Sequence, residues 1–337
     1  MARPFLKDSP LFSLCFMLEH KERENTMEAI QRATGALLGM FIGDALGIQA
    51  EGKEEKTLLE EFPQGIGELY SIERRWGESG EITDCSVLGI LLAQSIISLE
   101  SYDADHVSAT YRKWLKLEPI LVRPSLQEIF EGVPLIKSEN TYALMRVAPI
   151  GVAGANKTDK EIAAMAEAEC IMTNLDQTCI DANKVLSWGI AEAIRGMDYQ
   201  YRLGSYLLAT GKKFGIEDDV QQAIQRAMDG KSPPTGKQET ALYSLELALY
   251  AFLQTNSFEE GMALVMMKGG SANANASIYG ALAGSFYGDE EIPIRWKEEL
   301  QVPETLARYI KKQTTYRRQN LSLEFMADSM AKQLLEL

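Results

Sequence analysis

The sequence predicts an all-α protein, a compact multi-helix bundle with a central polar cleft. Apolar residues recur at three- and four-residue spacing through 27–47, 85–99, 159–172, 179–196, 239–255, 257–267 and 274–287. Period-two runs of the kind that make half-buried strands are scarce. Glycine and proline separate many of the helical segments, as in "EFPQGIGEL", "LEPILVRPS", "DGKSPPTGK" and "EEIPIRW". A chain of 337 residues with 46% hydrophobic content and a mean hydropathy of −0.15 is long and apolar enough to bury a substantial core.

Taken in chain order, residues 1–26 are expected to be a loosely held, poorly ordered extension with a short apolar run, Leu11 to Leu18. The following "EHKERE" offers no small-residue cleavage site, so this is not read as a secretory signal. The folded domain is expected from 27 to about 310, followed by a helical tail over 311–337. The stretch 304–337 carries an apolar set of Leu306, Ile310, Leu321, Phe325, Met330 and Leu334. No uncharged apolar run of spanning length with suitable flanks is present, so no membrane association is expected. The four cysteines, Cys15, Cys85, Cys170 and Cys179, lack CxxC or zinc spacing. They read as reduced thiols, mostly small core hydrophobes, of a cytoplasmic protein. His20 and His106 are the only histidines, and both lie in charged surface contexts. A net charge of −14 excludes general binding to a phosphate backbone, so no nucleic acid is expected; Arg74–Arg75 and Arg317–Arg318 are too short to alter that.

Two helices place small residues at four-residue intervals: Gly35, Gly39, Gly43 and Gly47 in one, and Gly280, Gly284 and Gly288 in the other. Glycine within a helix costs up to about 1 kcal/mol relative to alanine, so a stripe of it calls for close backbone approach to a second helix or to a ligand. The ends of these helices are polar. Asp44 and Glu51 sit at the end of the first. Glu81, Thr83, Asp84, Cys85 and Ser86 precede an apolar helix, with Thr83 and Asp84 as candidate caps. Ser271 and Asn273, in "GGSANANASIYG", open the second glycine helix and are candidate caps there. Three distant segments thus bring oxygen-bearing side chains to helix starts, where converging N–H groups suit an anionic ligand.

These residues resemble known motifs. "GALLGMFIGDALGIQAEG" is similar to the first signature of the ADP-ribosylglycohydrolase family, which includes arginine-ADP-ribose hydrolases and dinitrogenase-reductase-activating glycohydrolases. "GEITDCSVLGILLAQSI", "ALMRVAPIGV" (143–152), "IMTNLDQTCIDANKVLSWGIAEAI" (171–194), "GGSANANASIYGALAGSFYG" (269–288) and "IPIRW" (292–296) resemble the family's later motifs in the right order. The resemblance covers about 31–300 and implies the family's all-α fold, hydrolysis of an N-glycosidic bond in an ADP-ribosylated protein or related compound, and two magnesium ions held by carboxylates. It implies ligand positions at Glu51, Thr83 and Asp84, which retain the family's residue types. Cys85, Ser271, Asn273 and Ala274 replace the family's remaining ligands. Asn174 stands where the family has histidine, and Thr141 and Tyr142 where it has asparagine and glycine. Tyr142 is expected either to fill part of the cleft or to offer a stacking face.

Two functions remain open at this level. One is a metal-independent or single-metal glycosidic hydrolase, in which Glu51 and Asp84 supply acid–base chemistry and oxocarbenium stabilisation. The other is an inactive member of the family that binds an ADP-ribose-like nucleotide, or a partner protein, through Gly269, Gly270, Ser271, Asn273 and Tyr142. Magnesium is expected from the resemblance, and its binding is expected to be absent or weak here, because three carboxylates have become neutral.

Overall fold

The computed structural model describes residues 10–69, 79–119, 122–135, 137–234, 239–313 and 322–337, with side chains from 25 onward except at 313. The helices in chain order are α1 (Pro10–Gly47), α2 (Glu55–Glu61), α3 (Asp84–Leu99), α4 (Ala104–Leu115), α5 (Pro124–Glu131), α6 (Ala148–Ala153), α7 (Asp159–Cys170), α8 (Gln177–Ile194), α9 (Gln200–Phe214), α10 (Asp218–Met228), α11 (Ala241–Gln254), α12 (Phe258–Met266), α13 (Ala272–Tyr287), α14 (Ile294–Glu299), α15 (Glu304–Gln313) and α16 (Leu323–Leu335). Among the described residues extended pairing is limited to two isolated bridges, Glu54 with Gly269 and Glu81 with Gln301. The all-α expectation is borne out. The first helix begins at Pro10 and runs without a break into the glycine-striped segment.

The centre of the bundle is the antiparallel pair α1 and α13, surrounded by α3, α6, α8, α11, α12 and α16. The glycine stripes account for the pairing. A Cβ on Gly39 would lie 2.1 Å from the Gly280 carbonyl oxygen, and one on Gly280 would lie 2.0 Å from that of Gly39. Gly35 meets Gly284 in the same way, Gly43 meets Ala276 and Gly47 meets Ala272. The two backbones therefore touch along four successive turns, and only hydrogen fits between them. One 18-residue window of Asn25–Ala50 is apolar and uncharged enough to span a membrane, but it is 100% buried inside the bundle, as a core helix is.

Local signals at the helix ends agree with the sequence. Thr83, Asp103, Thr158, Asp176, Thr240, Ser257 and Ser322 each accept a first-turn N–H as N-caps, and Thr158 with Glu161 completes a capping box. Cys85, Cys170 and Cys179 are free and buried, as expected, whereas His106 is half-buried, its Nδ1 2.7 Å from Ser95 Oγ. One member of the C-terminal apolar set departs from expectation. Phe325 is 59% exposed, because α16 buries Leu323, Met326, Ala327, Met330 and Leu334 and turns position 325 outward. Leu321, Arg74, Arg75, Arg317 and Arg318 lie outside the described residues, as do the side chains of Cys15 and His20.

Gly39→Ala is expected to destabilise the protein by about 3 kcal/mol or more, reversing the usual helix-propensity gain, because the new methyl group must push two backbones apart. Urea denaturation measures this. A variant as stable as the parent would show that α1 and α13 are not held in backbone contact.

Candidate active site

The sequence's polar clusters meet at one end of the α1–α13 contact. Asp44, on the last turns of α1, is 0% exposed. Its Oδ2 accepts from the Thr83 N–H at 2.8 Å and the Ser86 N–H at 3.1 Å, and its Oδ1 accepts from the Thr83 hydroxyl at 2.7 Å. A carboxylate at the N-terminus of α3 takes donors that the helix leaves unpaired and complements its dipole. Burial raises the Asp44 pKa, with the bonds from Thr83 and Ser86 opposing that rise. This residue pins α3 to α1.

On α13, Asn273 is the counterpart. Its Nδ2 donates to Thr83 Oγ1 at 3.3 Å and approaches Asp44 Oδ1 at 3.5 Å. Its Oδ1 accepts from the Ala274 N–H at 2.8 Å, and its own N–H donates to Glu51 Oε2 at 3.1 Å. The amide is oriented by its neighbours, with nitrogen toward the acceptors and oxygen toward the donors. A carboxylate at this position would set a second charge about 3.5 Å from Asp44 and would require a cation to hold the two together.

A cation is present, and it is a side chain. Arg123 donates from Nη1 to Asp84 Oδ1 and from Nη2 to Asn273 Oδ1 at 2.8 Å, while its backbone N–H donates to Asp84 Oδ2 at 3.0 Å. Nη1 also lies 3.5 Å from Cys85 Sγ and from Met145 Sδ, and those sulfurs are 3.3 Å apart. Asp84 is 2% exposed and the Arg123 side chain 21%. Burial works most strongly against the charged guanidinium, but Asp84, Cys85 and Glu51 together outweigh it, so the group remains a cation. Pro124 explains the placement. Proline at the start of α5 disfavours helical backbone at the residue before it, and Arg123 is extended (φ −64°, ψ 125°), which points its N–H and side chain at α3. Met145 is seated by the neighbouring Arg146, whose side chain is buried against Glu169 and Thr173.

The sequence-derived candidates divide into two groups. Glu51, Thr83, Asp84, Cys85 and Asn273 come together around Arg123. Gly269 and Gly270 do not offer their N–H groups to the cleft. These donate to Met266 and Lys53 carbonyls, and the Gly52 N–H returns to Gly270. Both glycines have positive φ, and a Cβ on Gly269 would lie 2.1 Å from the Lys53 carbonyl oxygen, so their role is to dock the turn before α13 against the turn after α1. Ser271 occupies the N-cap position of α13 without a capping side-chain bond, which corrects that expectation; the Oδ1 of Asn273 serves the first turn instead. Ala274 is buried beneath it. Tyr142 is half-buried, and its hydroxyl pairs with Ser125 Oγ, tying the 142 segment to the start of α5 beside Arg123. Asn174 is buried and holds the 138–140 segment through Asn140. Arg123 escaped the sequence reading because "LVRPS" reads as helix punctuation. The available signal was an arginine immediately before a helix-opening proline.

Burial is the largest influence on Glu51 and raises its pKa, although Arg123 and the Asn273 N–H pull it down. A carboxyl with a raised folded pKa holds a proton that the unfolded chain has released. Its contribution to stability therefore falls as pH rises from about 4.5, the ordinary value, through the folded pKa. In urea denaturation followed against pH, the wild type is expected to lose stability over that window relative to Glu51→Gln. Parallel profiles would contradict the raised pKa.

Comparisons with known proteins identify the family. Residues 25–323 match the ADP-ribosylglycohydrolase family. An ADP-ribosyl-[dinitrogen reductase] glycohydrolase of Rhodospirillum rubrum is 23% identical over 290 residues, spanning 80% of this chain and 90% of the relative. The ADP-ribosylhydrolase ARH3 of Gallus gallus is 23% identical over 330 residues, spanning 80% and 89%. The ADP-ribosylarginine hydrolase Tri1 of Serratia proteamaculans is 21% identical over 300 residues, spanning 83% and 78%. A solved structure described as an ADP-ribosylglycohydrolase-related protein complex superposes with a TM-score of 0.73 at 26% identity, covering 92% of this chain and 99% of its own. The chain belongs to the ADP-ribosylglycohydrolase family.

Proposed function

We propose a function starting from family membership, which implies ADP-ribose hydrolase activity. We propose that in this chain the cleft binds an ADP-ribose-type ligand without divalent metal, and that magnesium-dependent hydrolysis has been lost. The observation that carries this reading is the Arg123 guanidinium lying between Asp84 and Asn273. Magnesium takes about six oxygen ligands in near-octahedral geometry and binds through carboxylates. Here a thiol, a thioether and an amide surround the one carboxylate of α3, and that carboxylate is already paired with a cation. Among the described residues no group of three or more His, Cys, Asp or Glu is placed to hold a metal ion. Burial holds the Cys85 thiol well above its ordinary pKa, so it supplies no thiolate to a softer metal. The donor set does not fit a magnesium pair.

Glu51 favours a second reading. Its Oε2 is engaged by the Asn273 N–H and its Oε1 has no partner among the described residues, which leaves one oxygen free for proton transfer to a leaving group. Hydrolysis on this route runs through Glu51 with Asp84 as the nearby charge, and needs no metal.

Calorimetric titration with ADP-ribose, paired with release of ADP-ribose from modified arginine with and without EDTA, separates the outcomes. The expected result is saturable binding and no turnover in either condition. EDTA-sensitive turnover would overturn the metal-free reading. EDTA-resistant turnover that disappears in Glu51→Gln would establish the second reading, and absence of binding at millimolar ADP-ribose would overturn both.

A further inference from the structure

Arg146 and Glu169 form an ion pair whose side chains are both 0% exposed, and none of the chemistry above uses it. Arg146 Nε donates to Glu169 Oε1 at 2.5 Å and Nη2 to the Glu169 carbonyl at 3.1 Å. The Tyr111 and Tyr102 hydroxyls donate to the same carboxylate at 2.9 and 3.1 Å. The other arm of the guanidinium reaches away from Glu169: Nη1 donates to the Tyr142 carbonyl at 2.5 Å and to Thr173 Oγ1 at 3.1 Å. The Thr173 hydroxyl in turn donates to Asn174 Oδ1 at 2.9 Å. Asn174 Nδ2 donates to Asn140 Oδ1 at 2.8 Å, and that oxygen also accepts the Tyr142 N–H at 3.1 Å. One buried network therefore holds both backbone groups of Tyr142. The Tyr142 hydroxyl meets Ser125 of α5, and Met145, beside Arg146, lies 3.5 Å from Arg123 Nη1. We infer that Arg146, Glu169 and Thr173 are positioning residues: they hold Tyr142 and Met145, and through these two they set the Arg123 guanidinium against Asp84 and Asn273. That this readies the site for its ligand rests on the metal-free reading above.

Stability alone does not account for such a network, because a buried ion pair adds little against apolar residues of the same volume. Its geometry does. Glu169 accepts at both carboxylate oxygens and Arg146 donates from all three of its nitrogens, so the pair is satisfied in one arrangement. Residues 137–140 carry no regular secondary structure, and side chains supply the hydrogen bonds that a helix would otherwise give them. Arg123 is placed from two sides as a result. Asp84 and Asn273 take its donors, and the segment held by Arg146 supplies the thioether against Nη1 and the tyrosine that ties down the first turn of α5.

Amide hydrogen exchange on Thr173→Val, Thr173→Ser and Arg146→Lys tests this, with thermal unfolding to check that each variant is folded. Thr173→Val cuts the link between Arg146 and Asn174 while keeping the side-chain shape, and Thr173→Ser restores the hydroxyl. Arg146→Lys keeps a cation for Glu169 and gives up the second arm; Thr173→Val remains informative if that variant fails to fold. Thr173→Val and Arg146→Lys are expected to exchange about tenfold faster than the wild type at 138–146 and at 123–127, and within about twofold of it along α13. Thr173→Ser is expected to match the wild type throughout. The response at 123–127 is decisive, because among the described residues neither Thr173 nor Arg146 hydrogen-bonds to that segment. Wild-type exchange there in the folded variants would overturn the inference. Faster exchange spread equally into α13 would also overturn it, since that marks a general loss of stability. In calorimetry with ADP-ribose, Thr173→Val is expected to bind about fivefold more weakly than the wild type and Thr173→Ser within about twofold of it. Unchanged affinity in Thr173→Val would contradict the role in binding. If the wild type does not bind, the metal-free binding reading falls, and the exchange result still decides whether the network positions Arg123.

Discussion

Backbone contact between α1 and α13 is the constraint on which the site depends. Two helices that meet through glycine at four-residue intervals approach until carbonyl oxygens and Cα hydrogens touch, and they cannot slide without collision. That fixed crossing puts Asp44 and Glu51, at one end of α1, within hydrogen-bond reach of Asn273, at the opposite-running end of α13. Asp44 then fixes α3 by taking the Thr83 and Ser86 N–H groups, so the apolar packing of the bundle is converted into a polar cluster with little positional freedom.

Within that cluster the electrostatics are self-contained. Buried carboxylates are tolerated only when paired or well hydrogen-bonded. Asp44 meets the condition with N–H and hydroxyl donors, and Asp84 with Arg123. Neutral Asn273 joins the two halves, because an amide can donate toward Asp44 and accept from Arg123 at once. The neutral Cys85, Ser271 and Asn273, at positions where the resemblance implies acidic ligands, and the Arg123 guanidinium thus complement one another. Fewer negative charges need less positive charge, and one side chain supplies it. A buried pair of this kind adds little net stability against an apolar substitute, yet losing either partner alone leaves an uncompensated charge.

Much of this was legible in the sequence, for identifiable reasons. Helical periodicity and the two glycine stripes are local patterns, and they announced the bundle and its tightest contact. The polar clusters around Asp44, Thr83–Asp84 and Asn273 stood out because polar residues at the ends of apolar helices are conspicuous, and the resemblance of ordered motifs carried the family. What was not legible depends on pairing across long sequence distance. Arg123 contacts residues 39 and 150 positions away, and nothing within "LVRPS" states which cleft its side chain enters. The glycine turn misled in a different way. Gly269 and Gly270 have the form of a ligand cradle, but their N–H groups close onto Met266 and Lys53. Phe325 sits at a helical spacing that matches its apolar neighbours and still faces solvent, since periodicity gives the width of a buried face only to within one residue.

The central claim is that a guanidinium stands where the family's resemblance implies divalent ions. Anomalous diffraction from crystals soaked in manganese tests it most directly. The account predicts no manganese peak among Glu51, Asp84 and Asn273, with arginine density in contact with Asp84 and Asn273. A manganese peak at that point, ligated by Asp84 and with Arg123 displaced from it, would contradict the account.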